Sequence, residues 1–170
     1  MRALLILLSL SLLSVAKSLD FRQILTLKTV KNIAKSYPDK RGRTFEKTAM
    51  AICMVESGCG KTNFGDKHLL KRGIKKASYG IMQVRLQTAR FVSKVYSLYD
   101  VKMMSDATLI DRLMNDDRFS VKLAVLYLVW LSDHSNSYFE MISRYNGGKV
   151  NYPYFNKVKR ELKYLSRYSL

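Results

Sequence analysis

Along most of this chain apolar residues recur at intervals of three and four, and the strict alternation of a half-buried strand is scarce. The spacing predicts a first helix from about Phe21 to Ser36, with Phe21, Leu25, Ile33 and Tyr37 among its apolar positions. The run Pro38-Asp39-Lys40-Arg41-Gly42 then breaks it. A second helix runs from about Thr44 to Ser57 and stops at Gly58. From Gly58 to Ser78 the chain is polar, basic and punctuated by glycine, which predicts a long loop, functional or mobile. Amphipathic helices follow over Leu86–Tyr99 and Ala107–Asn115, then Asn136–Arg144 and Tyr154–Tyr168. Between the two pairs, Phe119–Ser132 is apolar nearly all round and belongs at the centre of a bundle. The predicted fold is mainly α, a single compact helical domain with a long loop after its second helix.

The first residues do not fit that domain. Arg2 precedes an apolar run from Ala3 to Val15, and small residues follow at Ala16 and Ser18. This is the layout of a secretory signal peptide, so residues 1–18 are assigned to a leader and 19–170 to the domain. The run falls short of the ~20 apolar residues of a membrane span; an uncleaved anchor is the alternative. The expected location is therefore the cell envelope, periplasmic or extracellular.

Charge narrows the partners. Thirty Lys and Arg against thirteen Asp and Glu give a net charge of +17, a field that attracts polyanions. Export makes nucleic acid an unexpected partner and leaves anionic envelope polymers or a lipid surface. Two cysteines, Cys53 and Cys59, flank the end of the second helix and could form a disulfide in an oxidising compartment, or stay as two small buried thiols. With only His68 and His134 present, no metal site and no other cofactor is implied.

Within the second helix one carboxyl stands out. Glu56 shares a face with Ile52, Ala49 and Phe45, at steps of four, three and four. Desolvation on such a face favours the protonated form, as a general acid requires. By itself this also describes a helix-end glutamate whose head reaches water. Two later segments bear on the choice: Ser78-Tyr79-Gly80-Ile81-Met82-Gln83-Val84 and Ser143-Arg144-Tyr145-Asn146-Gly147-Gly148.

Taken in order with Glu56-Ser57-Gly58, these segments resemble the catalytic domain of soluble-type lytic transglycosylases, lysozyme-like enzymes that cleave peptidoglycan. The resemblance spans roughly Phe45 to Phe155. It departs at Ile81, where leucine is usual, in the longer and more basic stretch before Gly80, and at Arg144, where a small residue is common. It implies a monomeric lysozyme-like domain acting on glycan strands. Glu56 would protonate the glycosidic oxygen, then take the proton of the muramoyl 6-hydroxyl as it closes onto C1, leaving a 1,6-anhydromuramoyl end.

The resemblance also implies supporting roles. Ser57 would cap the helix or hold Glu56, and Ser78 would orient the muramoyl side. Gly80 would let the backbone approach the sugar, and Met82 would fill the cleft wall or the core. Gln83 would bind substrate or order the cleft. Tyr145 would place its hydroxyl near Glu56 or the acetamido group, and Asn146 would contact the sugar or fix the turn. Asp66 leaves an alternative open: a goose-type, hydrolytic lysozyme would use it as a second carboxylate to activate water. Otherwise Asp66 is a solvated loop residue. A cationic wall-binding protein without catalysis is the remaining rival.

Overall fold

The computed structural model describes residues 18–65 and 73–170. The leader assigned to the first residues, and Asp66 and His68, lie outside them but for Ser18. Eight α-helices account for most of the described chain: α1 (Phe21–Lys35), α2 (Glu46–Ser57), α3 (Leu86–Val95), α4 (Tyr99–Met103), α5 (Asp106–Asn115), α6 (Asp117–Asp133), α7 (Tyr138–Tyr145) and α8 (Tyr152–Leu165). The mainly α class expected from periodicity is the one observed.

Helix α6 is the axis of the core. Ten of its residues are buried, including Val121, Leu123, Leu128 and Leu131, as its nearly uniform apolarity requires. Helix α2 is sandwiched between α1 and α8 and is buried continuously from Thr48 to Met54. Its C-terminus is fixed from two directions. Gly58 takes the left-handed conformation (φ 60°) and donates its N–H to the Met54 carbonyl at 3.1 Å, a glycine cap. Gln23 of α1 donates to the Gly58 carbonyl at 3.0 Å. Gln23 is itself held by a capping box, with Asp20 accepting from its N–H and Gln23 accepting from the Asp20 N–H.

Two elements differ from the sequence expectation. The predicted helix Leu86–Tyr99 stops early, as α3 at Val95, because Ser97 adopts a positive φ of 53° and interrupts the ladder, and the short α4 begins at Tyr99, where the predicted helix ends. The stretch expected as loop contributes β1 (Phe64–Gly65) and a 3₁₀ turn at Ile74–Lys76. With β2 (Ser78–Tyr79) and β3 (Val84–Arg85), β1 forms an antiparallel sheet in the order β1-β2-β3. Phe64 pairs with Tyr79, and Ser78 with Arg85. Strands two residues long are too short to show a period of two, which is why this sheet left no alternation to read.

The loop before α2 is stapled to the end of α6. Asp39, whose side chain is wholly buried, accepts from the Arg41 and Arg43 N–H groups at 2.9 and 2.8 Å, from Arg43 Nε at 2.8 Å and from Ser132 Oγ at 3.1 Å. Desolvation alone would push this carboxyl up, but the Arg43 side chain and the backbone donors outweigh it and hold its pKa at about 2.

Candidate active site

Because α2 ends at Gly58, Glu56 lies in its last turn, where the helix leaves the core and opens on a cleft of about 420 Å³. The cleft is walled by the sheet on one side (Gly65, Ser78, Gln83), and by α6 and the end of α7 on the other (Tyr127, Tyr145, Asn146). Glu56 is half-buried there. Tyr154, in the first turn of α8, donates its hydroxyl to Glu56 Oε1 at 2.5 Å, which orients the carboxyl plane. Burial pushes the Tyr154 phenol well above its ordinary range, and the charge of Glu56 pushes it further. The group therefore stays a donor across the physiological range.

Tyr145 occupies the neighbouring wall. Its hydroxyl donates to the Met82 carbonyl at 3.1 Å, pinning the end of α7 to the β2–β3 turn. Its pKa is likewise driven up, first by burial and then by Glu56, so both phenols lie within the carboxyl's field. Tyr127 packs on Tyr145 with ring centroids 5.9 Å apart and stacks on Trp130 at 6.3 Å, nearly parallel. Trp130 in turn stacks on His134 at 4.3 Å. One row of rings thus runs from the cleft wall outward along α6.

Gln83 sits at a positive φ of 49°, a conformation a non-glycine side chain adopts at a cost and which the surroundings must impose. Its side chain supplies the constraint. Oε1 accepts from Ser78 Oγ at 2.9 Å, and Nε2 donates to the Gly80 carbonyl at 2.9 Å and the Thr62 carbonyl at 3.3 Å. Gly65 leaves the space for this amide: a Cβ there would fall 1.7 Å from Gln83 Oε1.

The model of the transglycosylase SLT domain matches residues 35–165, most of the chain. The chain belongs to this family. No curated protein and no solved structure matches it. The fold is that of a lysozyme-like domain, and the three segments that carry the resemblance meet at one cleft of this SLT domain: Glu56 from the first, Ser78 and Gln83 from the second, Tyr145 and Asn146 from the third.

The expected site residues of the SLT domain also carry structural parts, and some lie away from the cleft. Ser57 does not hold Glu56. It is buried, its Oγ donates to the Ile81 carbonyl at 2.7 Å, and it accepts from the Gly60 N–H at 2.9 Å, tying the end of α2 to the β2–β3 turn. Gly80 approaches protein backbone rather than the cleft: at φ 74°, its added Cβ would lie 2.0 Å from the Leu113 carbonyl oxygen. Met82 is a core residue, 1% exposed, and reaches the site only through its carbonyl. Asn146 lines the cleft and caps α7, accepting from Asn151 Nδ2 at 3.0 Å. Arg144 turns to the back of α7, donating to the His134 carbonyl and to Ser135 Oγ.

Cys53 and Cys59 are buried free thiols rather than a disulfide. The turn through Gly58 and Cys59 (φ 58°) brings the two buried thiols close enough to interact. That contact and burial hold the Cys53 thiol well above its ordinary range, so it is a poor nucleophile. Among the described residues no cluster of His, Cys, Asp and Glu could hold a metal ion.

Sequence reasoning missed Tyr154, Tyr127 and Gly65. Tyr154 could have been found as the first member of the buried stripe Tyr154, Val158, Glu161, Leu165 on α8. A tyrosine beginning the stripe that faces α2 brings a hydroxyl to the level of Glu56.

Proposed function

We propose that this SLT-family protein is a peptidoglycan lytic transglycosylase that breaks the β-1,4 bond between N-acetylmuramic acid and N-acetylglucosamine, with Glu56 as both general acid and general base. The observation that carries the reading is the placement of Glu56. It is a half-buried carboxyl at the mouth of the helix, oriented by Tyr154 and facing a polar cleft large enough for a pyranose ring.

In the first step the Glu56 carboxyl protonates the glycosidic oxygen. The C1–O bond breaks, and the muramoyl acetamido group carries the positive charge at C1. In the second step the Glu56 carboxylate takes the proton from the muramoyl 6-hydroxyl, whose oxygen bonds to C1. The proton returns to Glu56, the products are a free 4-hydroxyl and a 1,6-anhydro end, and no water is consumed. Holding one residue in both roles demands a carboxyl that does not rotate away between steps, which the Tyr154 hydrogen bond provides. The protein acts in the envelope, periplasmic or extracellular, following the leader read in its first residues.

Mass spectrometry of digested peptidoglycan tests this. The protein should release fragments with anhydromuramic ends, and Glu56→Gln should lower their formation by about 10³-fold or more while melting at the same temperature. Reducing ends in place of anhydro ends would mean hydrolysis. Undiminished lysis by the variant would remove Glu56 from the mechanism. N-terminal sequencing of protein recovered outside the cytoplasm checks the export and the leader's cleavage.

A further inference from the structure

We infer that the outward face of α8, together with the α7–α8 turn, docks the protein on an anionic lipid surface. Helix α8 buries Tyr154, Val158, Glu161 and Leu165 against the body. Its other side carries Lys157, Arg160, Lys163 and, just past its end, Arg167, at steps of three, three and four, with Lys159 beside them; all are exposed. Glu161 is the helix's one acid; it is buried, and its Oε1 lies 3.8 Å from Arg160 Nε, so it offsets one cation of the row. Four further acids, Asp100, Asp106, Asp111 and Asp116, lie on or beside α4 and α5, which pack on α3 and α6 rather than on α8, while Glu46 of α2 lies near the end of α8, in a pocket shared with Leu162 and Leu165. The α8 face is therefore a row of cations little offset by acids of its own.

Charge alone would suit any polyanion. The turn at the head of the row selects among them. Val150 and Tyr152 are 67% and 63% exposed, next to the exposed Lys149. Tyr152 lies against Phe139, with ring centroids 4.6 Å apart, so its ring is held outward on a firm base. An aliphatic and an aromatic side chain presented at the end of a cationic stripe match an interface where headgroups are anionic and the layer beneath is apolar. A soluble polyphosphate would use the cations and leave Val150 and Tyr152 without a role. Asn146 and Gly147, which line the cleft, come just before this turn. Docking would thus hold the cleft at the membrane-proximal edge of the wall, and it stands whether or not the catalytic reading does.

Co-sedimentation of the full chain with vesicles tests this. Vesicles of phosphatidylcholine mixed with phosphatidylglycerol should bind it, and phosphatidylcholine alone should bind it far less, with the difference fading as salt rises. Replacing Lys157, Arg160 and Lys163 together by glutamine should weaken partitioning on the order of 100-fold. Val150→Ser with Tyr152→Ser should weaken it by roughly tenfold. Neither change should alter cleavage of soluble glycan fragments, since none of these residues lines the cleft. Equal binding to both vesicle types, or full binding by the cation variant, would overturn the proposal. So would indifference to the Val150 and Tyr152 changes combined with tight binding of soluble polyphosphate, which would assign the face to a polyanion instead.

Discussion

Tyr154 orients Glu56, Gln83 orders a wall of the same cleft, and each makes a separable prediction. Tyr154→Phe removes the hydroxyl that donates to Oε1 but keeps the ring that fills the α2–α8 interface. A hydrogen bond to a charged group contributes about 1.5–3 kcal/mol. Turnover should therefore fall by roughly 10-fold to 100-fold, with KM little changed, in steady-state assays on soluble glycan. Gly65→Ala acts on the opposite wall. Its methyl would meet Gln83 Oε1 and Ser78 Oγ, and the side chain that must yield is the one that organises the β2–β3 turn. Activity should drop about tenfold while stability changes by less than about 1 kcal/mol, because the displaced group is a half-exposed amide rather than core. A melt that collapsed with the activity would show that the cleft wall also supports the fold.

Among the elements, the β2–β3 turn is the joint on which the site depends. Its Ile81 carbonyl receives Ser57 from α2, its Met82 carbonyl receives Tyr145 from α7, and Gly80 lies against the end of α5. Gly80→Ala should destabilise the protein by roughly 2–4 kcal/mol, from the positive φ and from the clash with the Leu113 carbonyl; thermal melts measure it. The same turn explains how much of the site could be read in the sequence. Helices announce themselves through burial, so α1, α2, α5 and α6 fall within about two residues of the expected bounds, the usual fraying of helix ends. Glu56, Gln83, Tyr145 and Asn146 could be read because short motifs carry them. Which atom of each residue is used could not be read. Met82 and Ile81 contribute backbone carbonyls, which leave no side-chain signature, and Ser57 and Gly80 serve the joint rather than the sugar. The break at Ser97 was also hidden, since its positive φ comes from tertiary context and not from a glycine.

Over the whole molecule, the Asp39 staple sets the response to acid. Its carboxyl has a pKa of about 2 in the folded protein against an ordinary 3.8. The unfolded chain therefore takes up this proton first as pH falls. The contribution is full above about 3.8, declines as pH drops toward 2, and is gone below it. Thermal melts from neutral pH downward should show a loss of stability in that window, and Asp39→Asn should flatten it. Since the staple joins the chain before α2 to the end of α6, its failure loosens the helix that carries Glu56.

Trp130 is the protein's one tryptophan, and it lies a single ring away from the cleft, stacked on Tyr127. The molecule thus carries a built-in optical probe. Light absorbed by the tyrosines transfers to an indole whose neighbour is part of the cleft wall. A sugar ring settling against Tyr127 should shift and reweight the emission of that indole, so occupancy can be followed by intrinsic fluorescence, without a label and without turnover, in the Glu56→Gln protein.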